Sequence, residues 1–348
     1  MKSDNPSRAI PRLSLAKRLL GFAAVAAATA AAGPADAQAL KPFKFGISAP
    51  VVTVFPAFMA DAHKLYEKHG LKVDIVSMEG GSRGIQVLLS GEIQAMSVGL
   101  APVVQANIKG ADIRSIVSTA NTIPITFFAA QKFKGPQDLK GANFGISTFG
   151  SETDIAISIA VKKWGMTRND ITISQVGGTT QRYNALLVGR LDVAPLLEPA
   201  ITLAKQKGGF NVVLDLAAEK TPWIFDSVVV TKAGLQSNAD GIERFIKAYI
   251  EAAYLALADA GKAKEVISAR WKTKDAVVID ATYADFQRLM PLDAKPSLDG
   301  ARNVMAELDA IGDKPARRDI ADHIDLAPLA NLEKAGFFDG LRKQYGVK

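Results

Sequence analysis

The feature that most constrains the fold of this chain is an internal echo, in which motifs of the first half recur about 97–99 residues later. "KFGIS" at 44–48 is matched by "NFGIS" at 143–147, and "EGGSRGIQVLLSGEIQA" at 79–95 is matched by "VGGTTQRYNALLVGRLDV" at 176–193. A solenoid needs at least three repeats, so two copies do not suffice for one. The echo therefore predicts two similar lobes, each with a core of its own.

Short apolar runs alternate with helical patterns in each copy, which predicts an α/β fold. The expected strands are Phe43–Ser48, 71–77 and 94–100 in the first copy, and 143–147, 171–176, 192–197 and 210–214 in the second. The expected helices are Phe55–Tyr66 ending by Gly70, 85–89 stopped by Gly91, 103–108, 152–164, 179–188 and 199–206. Strand–helix–strand alternation predicts parallel sheets with right-handed crossovers.

Two further apolar runs, 124–131 and 223–233, have the composition of strands that connect the lobes. The remainder, 237–345, has helical patterns and is expected to pack on the first lobe. Its expected helices are one with an apolar stripe from Ile242 to Leu257, then 261–271, 275–289, 299–311 and 326–345, with 313–319 as an exposed loop. These patterns predict lobe 1 at 40–128 and 226–348, and lobe 2 at 129–225.

The N-terminus has the pattern of an export signal peptide, predicted to span residues 1–37. A basic stretch (Lys2, Arg8, Arg12, Lys17 and Arg18) precedes an apolar run at 19–33, and small residues offer cleavage sites after Ala37 or Ala39. The apolar run is shorter than the roughly 20 residues that a membrane-spanning helix needs. An uncleaved anchor or an Ala-rich tail remains the alternative to a soluble protein exported to the periplasm.

Composition excludes several classes of protein. The chain has no cysteine, which rules out disulfides, thiolate metal sites and a lipoprotein anchor. The formal net charge is +7 at pH 7, and no cluster of basic residues with interleaved aromatics occurs, so nucleic acid is not an expected partner. No cofactor is expected, and the exported protein is predicted to be a monomer.

The candidate ligand site lies at the joints where strands lead into helices. In open parallel sheets, ligands bind beyond the carboxyl ends of the strands, where the N–H groups of helix starts are unpaired. These joints are rich in Gly, Ser, Thr and Pro here. Two lobes tied by two crossovers predict a hinged cleft that closes on a small molecule. The candidate contacts from the joints are Ser48, Gly81, Ser82, Arg83, Leu100, Gly150, Ser151, Thr153 and Thr179.

The joint at 147–153 has two interpretations. Ser151 with Asp154 has the spacing of a capping box, which accounts for one hydroxyl group. Capping does not explain Thr148 and Thr153 as well, so Ser151 or Thr153 is also a candidate for holding a ligand headgroup with the free N–H groups of the helix start.

Three larger side chains, Arg83, Glu198 and Trp223, complete the candidate site, and Glu152 complicates it. Arg83 is the candidate for a fixed positive charge, because a guanidinium can bind a carboxylate, sulfonate or phosphate with two hydrogen bonds, although a solvated surface arginine is the alternative. Glu152 would repel an anionic ligand unless it faces solvent or the ligand carries an amine or is neutral. Glu198, at the end of a strand, either accepts a hydrogen bond from the ligand or lies exposed. Trp223 is a candidate for stacking on a planar ligand, with core packing favoured.

Catalysis finds little support in the sequence. His63 and His69 are six residues apart and do not share a helix face, and no metal-ligand spacing occurs. The sequence has neither a GxSxG nucleophile elbow nor a complete P-loop motif. The prediction is therefore a binding protein and not an enzyme.

The ordered series of motifs resembles the substrate-binding proteins of nitrate/sulfonate/taurine-type (NMT1/THI5-like) ABC transporters. It includes "GGSRGIQVLLSGEIQA" and "GLAP" in the first copy and "FGISTFGSETDIAISIAVKKWGM" and "LLEP" in the second, and it spans about residues 43–260. The resemblance implies a type II periplasmic binding fold with ligand contacts at Ser48, Ser82, Arg83, Gly150, Ser151 and Thr153. Glu152 departs from the family pattern, since many relatives carry a small or uncharged residue there.

The resemblance also implies a function. A periplasmic solute-binding protein of this kind would capture a small organic acid, such as a sulfonate or carboxylate, and deliver it to an ABC permease in the inner membrane. One alternative is an enzyme of pyrimidine-precursor biosynthesis on the same fold, although the absence of cysteine argues against the iron chemistry of that class. The other alternative is a ligand-binding subunit that feeds a sensor.

Overall fold

Two five-stranded sheets of the same layout form the framework of the protein. The computed structural model describes residues 1–2, 39–312 and 319–347. The chain divides into two units, Met1–Ala39 and Leu40–Lys348, and all elements below belong to the second. The predicted signal peptide and most of the predicted loop at 313–319 lie outside the described residues.

The described residues form ten strands. They are β1 (Lys41–Ile47), β2 (Leu71–Ser77), β3 (Ala95–Val98), β4 (Ile113–Thr122), β5 (Thr126–Ala130), β6 (Asn143–Ile146), β7 (Thr172–Gln175), β8 (Val193–Leu196), β9 (Phe210–Asp215) and β10 (Pro222–Thr231). One sheet has the order β2-β1-β3-β10-β4 and the other β7-β6-β8-β5-β9. The mixed α/β class and the two-lobed fold are thereby confirmed.

The two apolar runs that were predicted to connect the lobes form β5 and β10. β5 lies antiparallel between β8 and β9, and β10 lies antiparallel between β3 and β4. The prediction of parallel sheets was therefore incomplete. A strand that crosses from one lobe enters the other sheet at the edge where the parallel strands end, so it must run against them.

Strand β4 was not predicted from the sequence, because its Ser and Thr residues interrupt the apolar pattern that is typical of a buried strand. In the structure its first eight residues are buried. The segment at 320–325 covers the free edge of β4, since the backbone N–H of Ser115 donates to His323 O (2.8 Å) and the N–H of Asp325 donates to Ser115 O (3.0 Å). An edge covered in this way does not template pairing with another chain.

The helices follow the predicted pattern with shifted ends. They are α1 (Phe55–Ala62), α2 (Leu65–Lys68), α3 (Gly81–Leu89), α4 (Leu100–Ile108), α5 (Glu152–Lys163), α6 (Thr179–Leu187), α7 (Ala200–Lys207), α8 (Leu216–Glu219), α9 (Lys232–Ser237), α10 (Ala239–Ala258), α11 (Ala260–Trp271), α12 (Ala276–Leu289), α13 (Leu298–Ala310), α14 (Ala327–Lys334) and α15 (Phe337–Tyr345). The predicted helix Phe55–Tyr66 is split, because Lys64 adopts a left-handed conformation (φ 55°) between α1 and α2.

The helical tail packs on the first sheet through α10. The rings of Phe43 on β1 and Phe245 on α10 are stacked with their centroids 4.8 Å apart, and the ring of Tyr66 also stacks with that of Phe245, at 5.6 Å. The tail also reaches the second sheet's helices, because Gln206 Nε2 on α7 donates to Asp275 Oδ2 at the start of α12 (2.9 Å). In the described part of the chain, no helix combines the length and the apolar character that crossing a bilayer requires.

Candidate ligand-binding cavity

A small cavity lies where the carboxyl ends of four parallel strands meet. Ser48 follows β1, Gly99 follows β3, Ser147 follows β6 and Leu197 follows β8, and all four line the cavity. Its volume is about 50 Å³. Sites for organic ligands are typically about 300–1,000 Å³, so the two sheets must move apart before such a ligand can enter.

Five of the residues predicted from the sequence line this cavity. They are Ser48, Gly81, Ser151, Thr153 and Thr179. They come from both copies of the echo, because the joints after β1, β2, β6 and β7 converge on one space.

Ser147, Ser151 and Thr153 form a cluster of hydroxyl groups at the start of α5. The three side-chain oxygens are 2.9–3.1 Å apart, and the backbone N–H of Ser147 donates to Thr153 Oγ1 (3.0 Å). Ser151 Oγ also accepts the N–H of Asp154 at 3.4 Å, so it caps the helix as well as lining the cavity. The predicted capping box is altered, because the Asp154 carboxylate accepts the N–H of Gly150 instead of that of Ser151.

The position of Arg83 corrects the sequence prediction of a fixed positive charge. Arg83 is exposed on α3 and does not line the cavity. Arg182 on α6 lines it instead and is 1% exposed. Its guanidinium donates to Pro195 O (3.0 Å), Gly177 O (2.6 Å) and Thr179 Oγ1 (3.0 Å). Burial lowers the pKa of Arg182 to about 9, which still leaves the group charged at neutral pH.

Glu152 joins the two sheets across the cavity. Its Oε1 accepts the backbone N–H of Ala101 at the start of α4 (2.9 Å), and its Oε2 accepts the indole N–H of Trp223 (2.8 Å). Burial raises the pKa of Glu152 to about 8, against the lowering effect of these two hydrogen bonds and with a further contribution from the charge of Asp226. Glu152 thus faces the cavity and not solvent.

Asp226 supplies a second carboxyl group to the cavity wall. Its two oxygens accept hydrogen bonds from the hydroxyls of Thr53 and Ser97, and its side chain is almost fully buried. Burial raises the pKa of Asp226 to about 6. The cavity wall therefore contains a carboxyl group that was not predicted from the sequence.

The other predicted contacts lie outside the cavity lining. Ser82 and Gly150 line an outer groove at the rim. Leu100 is fully buried in the first turn of α4 behind Gly99. Glu198 is buried at the start of α7, where Thr202 donates to it through its hydroxyl (2.9 Å) and its backbone N–H (3.2 Å).

Trp223 is buried, as the core-packing interpretation required, but its indole N–H is engaged by Glu152. Its ring lines a separate groove, of about 320 Å³, and not the central cavity. Stacking of Trp223 on a ligand in the central cavity is therefore not supported.

Contacts at the rim hold the two sheets together around the cavity. Ser82 Oγ donates to Phe149 O (2.9 Å), and Gln181 Nε2 donates to Glu79 Oε2 (2.7 Å). A Cβ atom added at Gly80 would lie 2.5 Å from Thr148 Cγ2, so the loops at 80–83 and 148–153 face each other closely. The structure is consequently in a closed state.

Sequence reasoning missed four polar residues of the cavity, namely Thr53, Ser147, Arg182 and Asp226. Asp226 carried a visible signal, because it is the single acidic residue of the apolar run 223–233. Thr53, Ser147 and Arg182 lie in the joints between strands and helices, but nothing in the sequence distinguishes them from their neighbours. Among the described residues (1–2, 39–312 and 319–347), no cluster of His, Cys, Asp and Glu is suited to holding a metal ion.

Comparison with known proteins gives matches in both sequence and structure. The family model described as "NMT1/THI5 like" matches residues 52–263. The riboflavin-binding protein RibY of Chloroflexus aurantiacus is 26% identical over 232 residues, which are 64% of this chain and 64% of RibY. The alignment thus spans slightly less than two thirds of that relative's length.

Solved structures share the fold at low sequence identity. A protein of Bordetella bronchiseptica RB50 superposes with a TM-score of 0.77 at 19% identity, covering 88% of this chain and 98% of the other. The periplasmic aliphatic sulphonate-binding protein SsuA of Escherichia coli gives a TM-score of 0.62 at 19% identity, covering 82% and 97%. The resemblance noted from the motifs is confirmed by these matches.

Proposed function

The chain belongs to the NMT1/THI5-like family, and we propose that it captures a small organic solute between its two lobes and delivers it to an ABC permease. The observation that carries this proposal is the cavity itself. It is enclosed between two sheets of the same layout and is lined by polar groups from the carboxyl ends of strands in both. Binding proteins that close by a hinge bury their ligands at such a position.

Within the described residues, the two sheets are joined by two crossings of the chain, which is an arrangement that suits a hinge. The chain passes between them at β4–β5 and at the segment before β10, and hydrogen bonds such as Gln181–Glu79 and Ser82–Phe149 cross the rim of the cleft. Breaking such surface bonds costs little free energy, about 0.5–1.5 kcal/mol each.

The polar groups of the cavity wall determine which functional groups of the solute can bind there. The hydroxyl groups of Ser48, Ser147 and Thr153 can donate or accept hydrogen bonds. Arg182 is the basic group in the described cavity wall, so an organic acid of the kind predicted from the sequence would place its acidic group toward Arg182 and not toward Arg83. Sulfonates and carboxylates thus remain candidate parts of the solute.

The relatives support the wider role. SsuA of Escherichia coli is described as a periplasmic sulphonate-binding protein and RibY as a riboflavin-binding protein. We extend from them to this chain the periplasmic location, the small-molecule ligand and the transporter partner. The basic and apolar pattern of residues 1–37 agrees with export.

The proposal is tested with the purified protein from residue 40 onward. Sulfonates, carboxylates, nitrate, amino-sulfonates, pyrimidines and flavins are screened by thermal shift, and any hit is measured by calorimetry. A ligand at 100 times its Kd should raise the free energy of unfolding by about 2.7 kcal/mol. Small-angle scattering should show a more compact particle with ligand. Absence of binding across every class, or turnover of a bound compound, would contradict the proposal.

A further inference from the structure

Two carboxyl groups and one guanidinium face the same small cavity. Glu152 and Asp226 line it from the second and first sheets' sides, and Arg182 is the basic side chain among the described lining residues. All three are buried, with exposures of 9%, 2% and 1%. Groups buried to this degree interact strongly with whatever enters the cavity, because water does not screen them.

Glu152 already fills the position that an anionic ligand would be expected to take. The start of a helix attracts anions through its free N–H groups and its partial positive charge. In this protein the carboxylate of Glu152 accepts the N–H of Ala101 in the first turn of α4, and the indole N–H of Trp223 binds its other oxygen. Both donors are therefore occupied by a group that belongs to the protein.

Arg182 does not offset this arrangement. Each of its three guanidinium nitrogens already donates to a protein oxygen, namely Pro195 O, Gly177 O and Thr179 Oγ1. A guanidinium has five N–H donors, so two remain for a ligand. Arg182 can thus hold one acidic group, while the carboxyl groups of Glu152 and Asp226 line the same cavity.

Asp226 retains the capacity to accept a further hydrogen bond. It accepts the hydroxyl groups of Thr53 and Ser97 and the backbone N–H of Ser227, whereas a carboxylate offers about four acceptor positions. None of these three donors is a cation. An N–H group of a ligand would occupy a remaining acceptor position and reduce the free-energy cost of burying the Asp226 carboxylate.

We infer that the ligand carries at least one N–H donor that faces the carboxyl groups of Asp226 and Glu152, and that a compound presenting an acidic group alone is rejected. This inference rests on the proposed function. It makes Glu152 and Asp226 specificity-determining residues, and it fits a protonated amine, an amidine or the N–H of a heterocyclic amide. A sulfonate or carboxylate is admitted when the same molecule also carries such a donor.

The first experiment compares matched pairs of compounds on the unaltered protein. Taurine is tested against isethionate, in which a hydroxyl group replaces the amine, and β-alanine against propionate. Binding is measured by calorimetry at constant ionic strength. A hydrogen bond to a charged group discriminates by about tenfold or more, so the amine of each pair should bind at least that much more tightly. Equal or tighter binding of isethionate or propionate overturns the inference.

The second experiment asks whether Glu152 occupies an anion position, and it does not require the natural ligand. Glu152→Ala should create a site for acetate, so increasing acetate should raise the melting temperature of this variant and shift the indole ¹⁵N–H resonance of Trp223. The unaltered protein should show neither effect. Glu198→Ala is the matched control, because it removes a buried glutamate that binds Thr202 outside the cavity lining.

A third variant tests the inference even where Glu152→Ala fails to fold. Glu152→Gln keeps the volume and cannot ionise. At pH 9, where the unaltered Glu152 carries its charge because its pKa is about 8, isethionate and propionate should bind the variant more tightly than they bind the unaltered protein. No acetate response in Glu152→Ala, or no gain for anions in Glu152→Gln, overturns the inference and leaves the proposed function standing. An acetate response without any ligand for the unaltered protein in the wider screen supports the inference while contradicting the proposed function.

Discussion

Glu152 and Ala101 join the two lobes directly, because Oε1 of Glu152 accepts the backbone N–H of Ala101 at 2.9 Å across the cavity. The carboxyl group comes from the start of α5 and the N–H group from the start of α4. Two helix starts that could both attract an anion are thus linked by one side chain. The closed state consequently depends on the position and protonation of Glu152.

The stability of the protein should fall as the pH rises from 5 to 8, and Glu152→Gln should reduce this fall. The pKa of Glu152 is raised by burial from 4.5 to about 8, so the folded chain holds a proton in this range that the unfolded chain releases. The difference between the two proteins should be about 3 kcal/mol over this interval. Urea unfolding at pH 5 and pH 8 measures it, and parallel pH dependences would contradict the assignment. Asp226, whose pKa is raised to about 6, is common to both proteins.

Arg182→Lys should destabilise the protein, whereas Arg83→Ala should leave its stability and ligand binding unchanged. The lysine ammonium cannot reproduce the planar set of bonds to Pro195 O, Gly177 O and Thr179 Oγ1. If the ammonium keeps one of the three bonds, two buried acceptors lose their partner at about 1–3 kcal/mol each, so a loss of at least about 2 kcal/mol is expected. The exposed Arg83 should contribute less than about 0.5 kcal/mol. Loss of binding in Arg83→Ala would show that it reaches the ligand in another state of the protein.

Gly99→Ala should disrupt the bridge between the lobes. A Cβ atom at Gly99 would lie far inside van der Waals contact with Cγ, Cδ and Oε1 of Glu152, and that side chain is held by Ala101 and Trp223. Overpacking of this kind costs about 1–3 kcal/mol. The measurements are the free energy of unfolding and the radius of gyration, which should increase as the lobes separate.

Gly340→Ala serves as the control for Gly99→Ala. Gly340 lies within α15, and a Cβ atom there would meet no atom within 4 Å. Alanine is favoured over glycine in a helix by about 0.8–1.0 kcal/mol, so this variant should be slightly more stable. Equal effects of the two substitutions would argue against a specific role for the contact between Gly99 and Glu152.

Glu251→Gln should weaken the attachment of α15 to α10. Glu251 is 2% exposed and binds Lys68 Nζ (2.5 Å), His69 Nε2 (2.7 Å) and Tyr345 OH (2.7 Å). Although burial alone would raise its pKa, these hydrogen bonds lower the pKa of Glu251 to about 2. The variant should lose about 2 kcal/mol at pH 7, since hydrogen bonds to a charged group contribute about 1.5–3 kcal/mol.

The pH dependence provides the check on this network. A depressed folded-state pKa gives stability that is present above pH 4.5 and is lost as the pH falls toward 2. Glu251→Gln should therefore lose less stability than the unaltered protein between pH 4.5 and pH 2.5. Glu333→Gln, which removes an exposed partner of Lys295, is the control and should change the stability by less than about 1 kcal/mol. A similar loss in both variants would exclude a special role for Glu251.

Most helices and strands were predictable from the sequence, and the one strand that was missed has a physical cause. The strand at 71–77 was predicted to the residue, because its apolar run is bounded by a glycine and by polar residues. Strand β4 was missed because Ser115, Ser118 and Thr119 are polar, and their burial depends on β10 and on the segment at 320–325, which are distant in the sequence.

The site was predictable as a set of joints but not as a set of side chains. Arg83 and Gln181 are each the third residue of their helices, α3 and α6, and both are exposed. Arg182 follows Gln181 and is buried, because successive residues on a helix are about 100° apart. One step along the chain thus decides whether an arginine faces solvent or the cavity.

Two α/β lobes with polar joints were predictable from the chain alone, because periodicity and turn residues are properties of short stretches of sequence. The meeting of Glu152, Asp226 and Arg182 in one cavity was not predictable in this way, since these residues come from three elements that approach each other only in the folded protein. The charge of the site depends on that approach, because burial and neighbouring groups set the pKa of each residue.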